Sequence, residues 1–387
     1  MKILQISTAD VAGGAEAVAL SLHRGLRARG HESMLAVGYR RTQEEGVVEI
    51  PGAGSRRSRA PRDPGVLFDA LRGHEDFRFP ESRRVLELAP WTPDVVHVHN
   101  LHGGYFDLRG LPKLARRARL VATLHDAWLL TGHCAHPFDS DGWLRGCGNC
   151  PHLDTYPPLL RDGTAFNLAR KRSIYAGLEL TVVTPSRWLM AMVERSVLAP
   201  AAVRREVIPN GVDLELFRPG SEDRSGLVFA AQGGPANQFK DYPTLQAALE
   251  RLEDPVDVAV LGDPPIPVDE VARRLRAAAL YVHPSRADTF PSGVLEALAC
   301  GTPVVASRVG GIPEQVTDET GVLVEPGDPA ALAAAIQSLL ADPDRRARMG
   351  AAAAADARRR FSLDRQLDAY LELYSDAAAD IPGRVVG

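Results

Sequence analysis

The chain has 387 residues, 45% of them hydrophobic, and a formal net charge of −4. That length suggests two domains, each long enough to bury its own core, and the near balance of charge excludes the strongly basic surface of a nucleic-acid-binding protein. No apolar run approaches the roughly 20 residues of a membrane span, and the N-terminus lacks the apolar core of a signal peptide. We therefore expect a cytoplasmic globular protein that has no nucleic-acid partner and at most peripheral contact with a membrane.

The first forty residues have the pattern of a strand, a turn, a helix and a second strand. Residues 3–7 form an apolar run, and residues 8–14 are rich in turn formers. The following apolar residues recur at helical spacing until Gly30, which is expected to end the helix. They are Ala15, Val18, Ala19, Leu22 and Leu26. Residues 32–37 predict the second strand, whereas residues 38–90, rich in Arg, Pro and Gly, give no clear pattern.

Three further strands are predicted in this half, and polar residues stand at or just beyond their ends. The strands cover residues 94–99, 120–124 and 181–184. Apolar strands that alternate with helices predict a parallel sheet covered on both faces. Ligands of such sheets bind beyond the carboxyl ends of the strands, which makes the polar residues there candidates for a site. They are His99, His125, Asp126 and Ser186.

A turn-rich segment, residues 207–213, separates this half from a second series of strands and helices. The predicted elements are strands at 226–231, 256–261, 280–283 and 303–307 and a helix at 292–299. A last helix places Leu363, Leu367, Tyr370, Leu371 and Tyr374 on one face. We predict one domain over residues 1–205 and a second over residues 206–360.

Two glycine-bearing or helix-opening segments suggest a ligand that carries a pyrophosphate. Gly13, Gly14 and Glu16 open the first helix, where backbone amides bind anions, although a plain tight turn explains them equally well. Asp288 and Glu296 stand eight positions apart, the first in a loop and the second inside a helix whose opening amides favour negative charge. A helix N-terminus with an acidic cap is the alternative there.

A third feature is Lys240, which follows a glycine-bearing loop in a chain with only four lysines. A loop lysine directly before a helix suits a phosphate group. A solvated surface lysine is the alternative explanation.

The motifs that carry a family resemblance run in order along nearly the whole chain. The most specific is the block of residues 283–306, in which Asp288 and Glu296 match an E-x7-E element. The others are residues 13–16, 97–100, 123–126, 183–186, 208–213 and 240–241. Together they resemble the retaining glycosyltransferases of family 4. The resemblance implies an α/β protein of GT-B architecture, with two Rossmann-like parallel-sheet domains facing a cleft.

The resemblance also implies how the domains divide the work. The N-terminal domain would bind the acceptor, the C-terminal domain would bind a nucleotide-activated sugar, and a final helix over residues 361–387 would cross back to the first domain. On the acceptor side the matching residues are Glu16, His99 and Asp126.

Individual roles in donor binding follow from the same motifs. Asp288 would face the donor sugar, Glu296 would accept hydrogen bonds from the ribose, and Lys240 would balance the leaving diphosphate, while His125 would lie near the hydroxyls of the sugar. Further backbone contacts to the sugar and phosphates are implied for Gly13, Gly14, Thr289, Phe290, Pro291, Ser292 and Gly293. Asp288, His125 and Lys240 are the predicted catalytic residues.

Three departures from the family pattern stand out. Ala231 and Gln232 occupy the place near which family members commonly have an arginine, and Asp288 is one methylene shorter than the usual glutamate. Only 20 residues lie between Gly262 and His283, where relatives usually fit another strand and helix. A trimmed second domain is therefore expected.

Three cysteines lie close together in the sequence, within what resembles an insertion found in one branch of the family. Cys147 and Cys150 form a C-x-x-C pair, and with Cys134 and His136 they are candidates for a structural zinc site. Reduced or partly paired thiols in a packed loop are the alternative.

The function predicted from the resemblance is transfer of a sugar from a nucleoside diphosphate sugar with retention of anomeric configuration. UDP is the first expectation for the nucleotide and GDP the second, and no catalytic cofactor is required. The acceptor is expected to be a saccharide, a lipid-linked intermediate or a small natural product. The alternatives are a non-catalytic nucleotide-sugar-binding protein and a Rossmann-type oxidoreductase, which the missing G-x-G-x-x-G fingerprint disfavours.

Overall fold

The computed structural model describes residues 1–11, 13–53 and 63–379. The chain divides into two compact units. The first consists of Met1–Ile208 and Leu367–Gly387, and the second of Pro209–Gln366. Among the described residues, no helix is both long and apolar enough to cross a bilayer.

The first unit is built on a seven-stranded parallel sheet with the order β3-β2-β1-β4-β5-β6-β7. The strands are β1 (Lys2–Ala9), β2 (Glu32–Tyr39), β3 (Val47–Glu49), β4 (Val95–Val98), β5 (Arg119–Thr123), β6 (Leu180–Thr184) and β7 (Ala202–Val207). The order reverses between β1 and β4, and ligands of open parallel sheets bind at such a switch point.

Helices connect these strands. They are α1 (Gly14–Ala28), α2 (Pro64–Leu71), α3 (Leu111–Ala115), α4 (Gly142–Arg145), α5 (Thr164–Tyr175) and α6 (Arg187–Arg195), with short 3-10 helices at Pro80–Leu88, Leu108–Gly110 and Trp128–Leu130. The strands β1, β4, β5 and β6 are buried almost throughout, as continuous apolar strands of a covered sheet should be.

The second unit contains a smaller parallel sheet of five strands, β12-β11-β10-β8-β9. Its strands are β8 (Ser225–Ala230), β9 (Val258–Leu261), β10 (Ala278–His283), β11 (Val304–Ser307) and β12 (Gly321–Val324). Its helices are α7 (Tyr242–Leu249), α8 (Val268–Ala277), α9 (Ser292–Ala299), α10 (Ile312–Gln315), α11 (Pro329–Leu340) and α12 (Pro343–Arg360), with a 3-10 helix at Gly234–Ala236. Here the strand order reverses between β8 and β10.

The last helix, α13 (Leu363–Ala379), returns to the first unit. Leu367, Tyr370 and Tyr374 pack there against Ile3 on β1 and Val121 on β5. The predicted apolar face of this helix is therefore in the core of the first unit, and Leu373, which the pattern missed, is buried with it.

The predicted fold class is confirmed: each unit has a parallel sheet with the strand order of a doubly wound fold. Three strands were not predicted, namely β3, β7 and β12. The second sheet, with five strands against seven, agrees with the expected trimmed domain.

Candidate functional site

In the second unit, the two predicted catalytic residues Lys240 and Asp288 form an ion pair. Lys240 follows β8 and Asp288 follows β10, so both lie at the switch point of this sheet. Burial acts to raise the pKa of Asp288, but the charge of Lys240 and the hydrogen bond from His283 outweigh burial and lower that pKa well below its ordinary value. Asp288 is therefore a fixed carboxylate at neutral pH, and one donor of the Lys240 ammonium is engaged with it.

Two residues of β10 that the sequence analysis did not single out, His283 and Tyr281, form a chain of hydrogen bonds that ends at Asp288. His283 Nε2 lies 2.9 Å from Asp288 Oδ2, and His283 Nδ1 lies 3.0 Å from Tyr281 Oη. A carboxylate only accepts, so His283 donates from Nε2 and accepts from the tyrosine hydroxyl at Nδ1. Burial and the nearby Lys240 lower the pKa of His283, which keeps its imidazole neutral.

The loops that carry Lys240 and Asp288 are also joined through Arg286. Its backbone amide donates to Phe239 O at 2.9 Å, and its Nε donates to Asp241 Oδ2 at the same distance. Gly310 closes the other side of Asp288: its φ is +55°, and a Cβ there would lie 1.7 Å from the Asp288 carbonyl oxygen. The position of Asp288 thus depends on contacts from several separate segments.

The helix α9 begins directly after this loop, and its opening amides have no side-chain cap, because the preceding residue is Pro291. The first amides of a helix lack partners within the helix and carry its positive dipole end. The two carbonyl groups just before the helix accept hydrogen bonds from side chains of other segments: Gln315 Nε2 donates to Pro291 O at 3.0 Å, and Asn210 Nδ2 donates to Phe290 O at 3.3 Å. The arrangement suits an anion beside Ser292 and Gly293.

Glu296 lies about one turn further along α9 and is half-buried. It makes no hydrogen bond or ion pair with any residue that the structure describes. Burial raises the pKa of Glu296 to about 7. A carboxyl group in this state gains from a ligand that donates hydrogen bonds to it.

Gly293 in α9 is a close-approach position, and it provides a stability test of this packing. A Cβ on Gly293 would lie 2.6 Å from Tyr281 Oη, so we expect Gly293→Ala to destabilise the protein by about 1–3 kcal/mol through overpacking. In a Tyr281→Phe background the hydroxyl is gone, and the added methyl group should cost little, since alanine is the better helix former. Urea denaturation of the four proteins measures this coupling, and an equal cost of Gly293→Ala in both backgrounds would contradict it.

In the first unit, Gly13 and Gly14 stand at the carboxyl end of β1, where α1 begins. Glu16 caps this helix, accepting a hydrogen bond from Gly13 N at 3.0 Å, and its side chain is buried. The amides that open α1 therefore lie at the switch point of the larger sheet, next to the end of β4.

The end of β4 and the end of β5 are joined by two histidines. His99 Nδ1 and His125 Nε2 are 3.1 Å apart, and burial lowers the pKa of His125 to about 4. Behind them, His97 lies between Tyr374 Oη and Thr123 Oγ1, at 2.7 Å from each. The imidazoles are neutral, and His125 is the one that is partly exposed.

Asp126 follows His125 but takes a different partner. Its Oδ2 lies 2.7 Å from His102 Nε2, and its Oδ1 accepts from Trp128 N at 2.9 Å. Burial acts to raise the pKa of Asp126, but His102 outweighs it and the pKa is lowered. His102 is a site neighbour that the sequence analysis missed, although it stands only three residues after His99.

The candidate zinc residues Cys134, Cys147 and Cys150 are free thiols. Cys150 Sγ lies 3.5 Å from His133 Nε2, whereas His136 accepts a hydrogen bond from Phe138 N and stacks on Trp188. Within residues 1–11, 13–53 and 63–379, no three His, Cys, Asp or Glu side chains form a group that could hold a metal ion. The zinc site stays a prediction.

Two family models match the chain. Residues 12–216 match the model described as Glycosyltransferase Family 4, and residues 240–356 match the model described as Glycosyl transferases group 1. The first match begins after β1 and runs from α1 to just beyond β7. The second begins at Lys240 and includes Asp288 and Glu296.

Individual proteins agree with these matches. The D-inositol 3-phosphate glycosyltransferase 1 of Catenulispora acidiphila is 29% identical over 343 residues, which are 76% of this chain and 75% of that protein. Sucrose-phosphate synthase from Thermosynechococcus elongatus is similar in structure, with a TM-score of 0.71 at 20% identity over 98% of this chain and 100% of that one. Anabaena HepE in complex with UDP-glucose has a TM-score of 0.65 at 19% identity, over 97% of this chain and 100% of that one. At these identities the two solved structures show a shared fold.

Proposed function

Because the chain belongs to glycosyltransferase family 4, we propose that it transfers a sugar from a nucleoside diphosphate sugar to an acceptor hydroxyl with retention of anomeric configuration. UDP is the favoured nucleotide and GDP the second, and the acceptor is a saccharide, a lipid-linked intermediate or a small natural product. The observation that carries the proposal is the group formed by Lys240, Asp288 and the uncapped start of α9 at the switch point of the second sheet. The UDP-glucose complex of HepE, a protein of the same fold, supports the choice of UDP.

Lys240 and α9 supply positive charge for the departing diphosphate. When the bond from the anomeric carbon to the phosphate oxygen breaks, its electron pair stays on that oxygen. The Lys240 ammonium has three donors, of which one is used by Asp288, so others are free to reach a phosphate. The backbone N–H groups of Thr289, Phe290, Ser292 and Gly293 add fixed dipoles to this charge, and we therefore propose that transfer requires no metal.

The roles proposed for the remaining residues come from the family resemblance, and their places at the strand ends support them. Asp288, fixed by His283, would face the hydroxyls of the donor sugar. His125 would contact the sugar from the first unit, the backbone at Gly13 and Gly14 would approach the phosphates, and Asp126 would face the acceptor.

Glu296 is proposed to accept hydrogen bonds from the ribose hydroxyls, and this makes nucleotide affinity depend on pH. Hydroxyl donors favour the ionised form of the Glu296 carboxyl group. Because its pKa is raised to about 7, much of this group is protonated below that pH. We expect the affinity for UDP to rise as the pH increases from about 6 to about 8. Calorimetric titration with UDP measures this dependence.

Glu296→Gln is the control for that titration. The glutamine keeps the capacity to form hydrogen bonds but cannot ionise. The pH dependence of UDP binding that remains then comes only from the second ionisation of the terminal phosphate, which lies near pH 6 in phosphate monoesters. The same pH dependence in both proteins would remove Glu296 from the ribose site.

The experiment that tests the function combines binding and turnover. Purified protein is screened for thermal stabilisation by UDP, GDP, ADP and TDP, since a ligand that binds the folded state stabilises it by mass action. The sugar nucleotide of the best nucleotide is then incubated with saccharide, lipid-linked and small-molecule acceptors. We expect release of the nucleoside diphosphate, and proton NMR of the product gives its anomeric configuration. Stabilisation without turnover of any donor would point to a binding protein, and an inverted product would refute retention.

A further inference from the structure

Gln5 is a fully buried residue of β1, and backbone groups determine how its amide is oriented. Nitrogen and oxygen of an amide are assigned from their partners. The amide has two possible orientations. In the first, Gln5 Nε2 donates to Ala19 O of α1 at 3.3 Å, and Gln5 Oε1 accepts from His23 N of α1 at 3.2 Å. The opposite orientation gains one bond of 3.4 Å to Ser33 Oγ and sets oxygen against the Ala19 carbonyl. The two fixed backbone partners therefore select the first orientation.

This orientation decides which nitrogen of His99 carries the proton. Gln5 Nε2 also lies 3.2 Å from His99 Nε2. Because an amide nitrogen only donates, His99 Nε2 is the acceptor, and a neutral imidazole then has its proton on Nδ1. His99 is neutral, since burial lowers its pKa well below the ordinary value.

His99 passes the same constraint to His125. His99 Nδ1 is 3.1 Å from His125 Nε2, so His99 donates and His125 Nε2 accepts. His125 is neutral as well, and its own proton is therefore on Nδ1. His125 Nδ1 makes no hydrogen bond within the described part of the chain, and it is not one of the buried polar atoms that lack a partner. It is therefore accessible to solvent.

We propose that Gln5 is a positioning residue that acts through His99 to hold His125 in the Nδ1–H tautomer. His125 then presents an N–H donor at the end of β5 and has no free nitrogen with which to take a proton. Its ligand atom must be an acceptor, such as a sugar hydroxyl or a phosphate oxygen. This last clause rests on the proposed function, whereas the tautomer itself does not.

The tautomer is measured directly in the free protein. Long-range proton–nitrogen correlation spectra of protein labelled with 15N-histidine distinguish Nδ1–H from Nε2–H rings, and a His125→Asn variant identifies the signals of His125. We expect the Nδ1–H pattern for His125 in the wild type. An Nε2–H pattern, or rapid averaging of both, would overturn the proposal. The spectra contain no sugar nucleotide, so failure of the proposed transferase function would leave them unchanged.

Two variants of Gln5 test whether this residue sets the tautomer. At a pH at which the new carboxyl group is ionised, Gln5→Glu offers only acceptors, so His99 must donate from Nε2 and His125 is expected to change to Nε2–H. Gln5→Met removes the amide at similar volume, and His125 is expected to show both forms. Ser33→Ala is the matched control: it removes the partner of the opposite orientation and should leave the Nδ1–H pattern of His125 intact. Thermal unfolding shows that each variant is folded, and a folded Gln5→Met protein that keeps only Nδ1–H would overturn the role of Gln5.

Discussion

Lys240→Ala is expected to lower kcat by about 10²–10³-fold, the loss typical of removing one preorganised donor from a developing oxyanion. The side chain forms an ion pair with Asp288 beside the uncapped start of α9. Residues 209–366 contain no other lysine, so no other ammonium of the second unit can replace it. The affinity for the ground-state donor should fall less than kcat, because the charge on the leaving oxygen is fully developed only in the transition state. Steady-state kinetics with the donor found by the nucleotide screen measures both quantities.

The control for this substitution is Lys113→Ala. Lys113 is an exposed lysine of the first unit whose ammonium donates to Arg83 O at 3.1 Å, so its loss removes the same charge without touching the site. Its kcat should stay within about twofold of the wild type, as is usual for surface changes. Lys240→Arg retains a positive charge and should restore part of the rate. A Lys240→Ala protein with the rate of the Lys113→Ala control would exclude Lys240 from the reaction.

The strands that the sequence predicted are those with continuous apolar runs. In β1, β4 and β6 both faces are covered, so nearly every residue is buried, and adjacent apolar residues mark each strand in the sequence. The missed strands β3, β7 and β12 are sheet edges. An edge strand has a neighbour on one side only and is more exposed to solvent. β7 accordingly contains the charged residues Arg204, Arg205 and Glu206, so its sequence lacks the apolar run that marks a buried strand.

The same contrast applies to the site. Lys240, Asp288 and His125 each have a local signal in the sequence: Lys240 follows a glycine-bearing loop, Asp288 precedes the start of a helix, and His125 follows a predicted strand. Tyr281 and His283 lie inside β10, and Gln5 lies inside β1. A polar side chain within a buried strand has no local signal of its partner, because that partner comes from a distant segment: His99 is 94 positions from Gln5.

Two lysines show most clearly that the local sequence does not reveal the distant partner of a buried polar residue. Lys240 and Lys171 are the same residue type, and each precedes or occupies a helix, yet one belongs to the candidate site and the other to the core. Lys171 is 0% exposed and contacts Glu75, 96 positions earlier in the chain. Nothing in the local sequence of α5 separates a buried lysine from a solvated one.

Lys171→Met is expected to cost about 3–5 kcal/mol of unfolding free energy, because it leaves Glu75 buried without its cation. In the wild type, Lys171 Nζ donates to Glu75 Oε1 at 3.1 Å, to Trp128 O at 2.7 Å and to Thr131 O at 3.0 Å. Burial already raises the pKa of Glu75, and without Lys171 that pKa should rise further. When the folded-state pKa of a carboxyl group lies above its unfolded-state pKa, the protein loses stability as the pH rises from the unfolded-state value to the folded-state value, so the cost should be larger at pH 8 than at pH 5.

The double variant Lys171→Met with Glu75→Gln separates the orphaned charge from the loss of packing. It removes both charges, so it should recover most of the stability lost in Lys171→Met and should lose the pH dependence, while a residual of about 1–3 kcal/mol reflects the unpaired carbonyls of Trp128 and Thr131. Urea denaturation at pH 5 and pH 8 measures all three proteins. If the double variant were no more stable than Lys171→Met, the uncompensated charge of Glu75 would not be the source of the lost stability, and the contacts of Lys171 with the carbonyl groups of Trp128 and Thr131 would have to account for it.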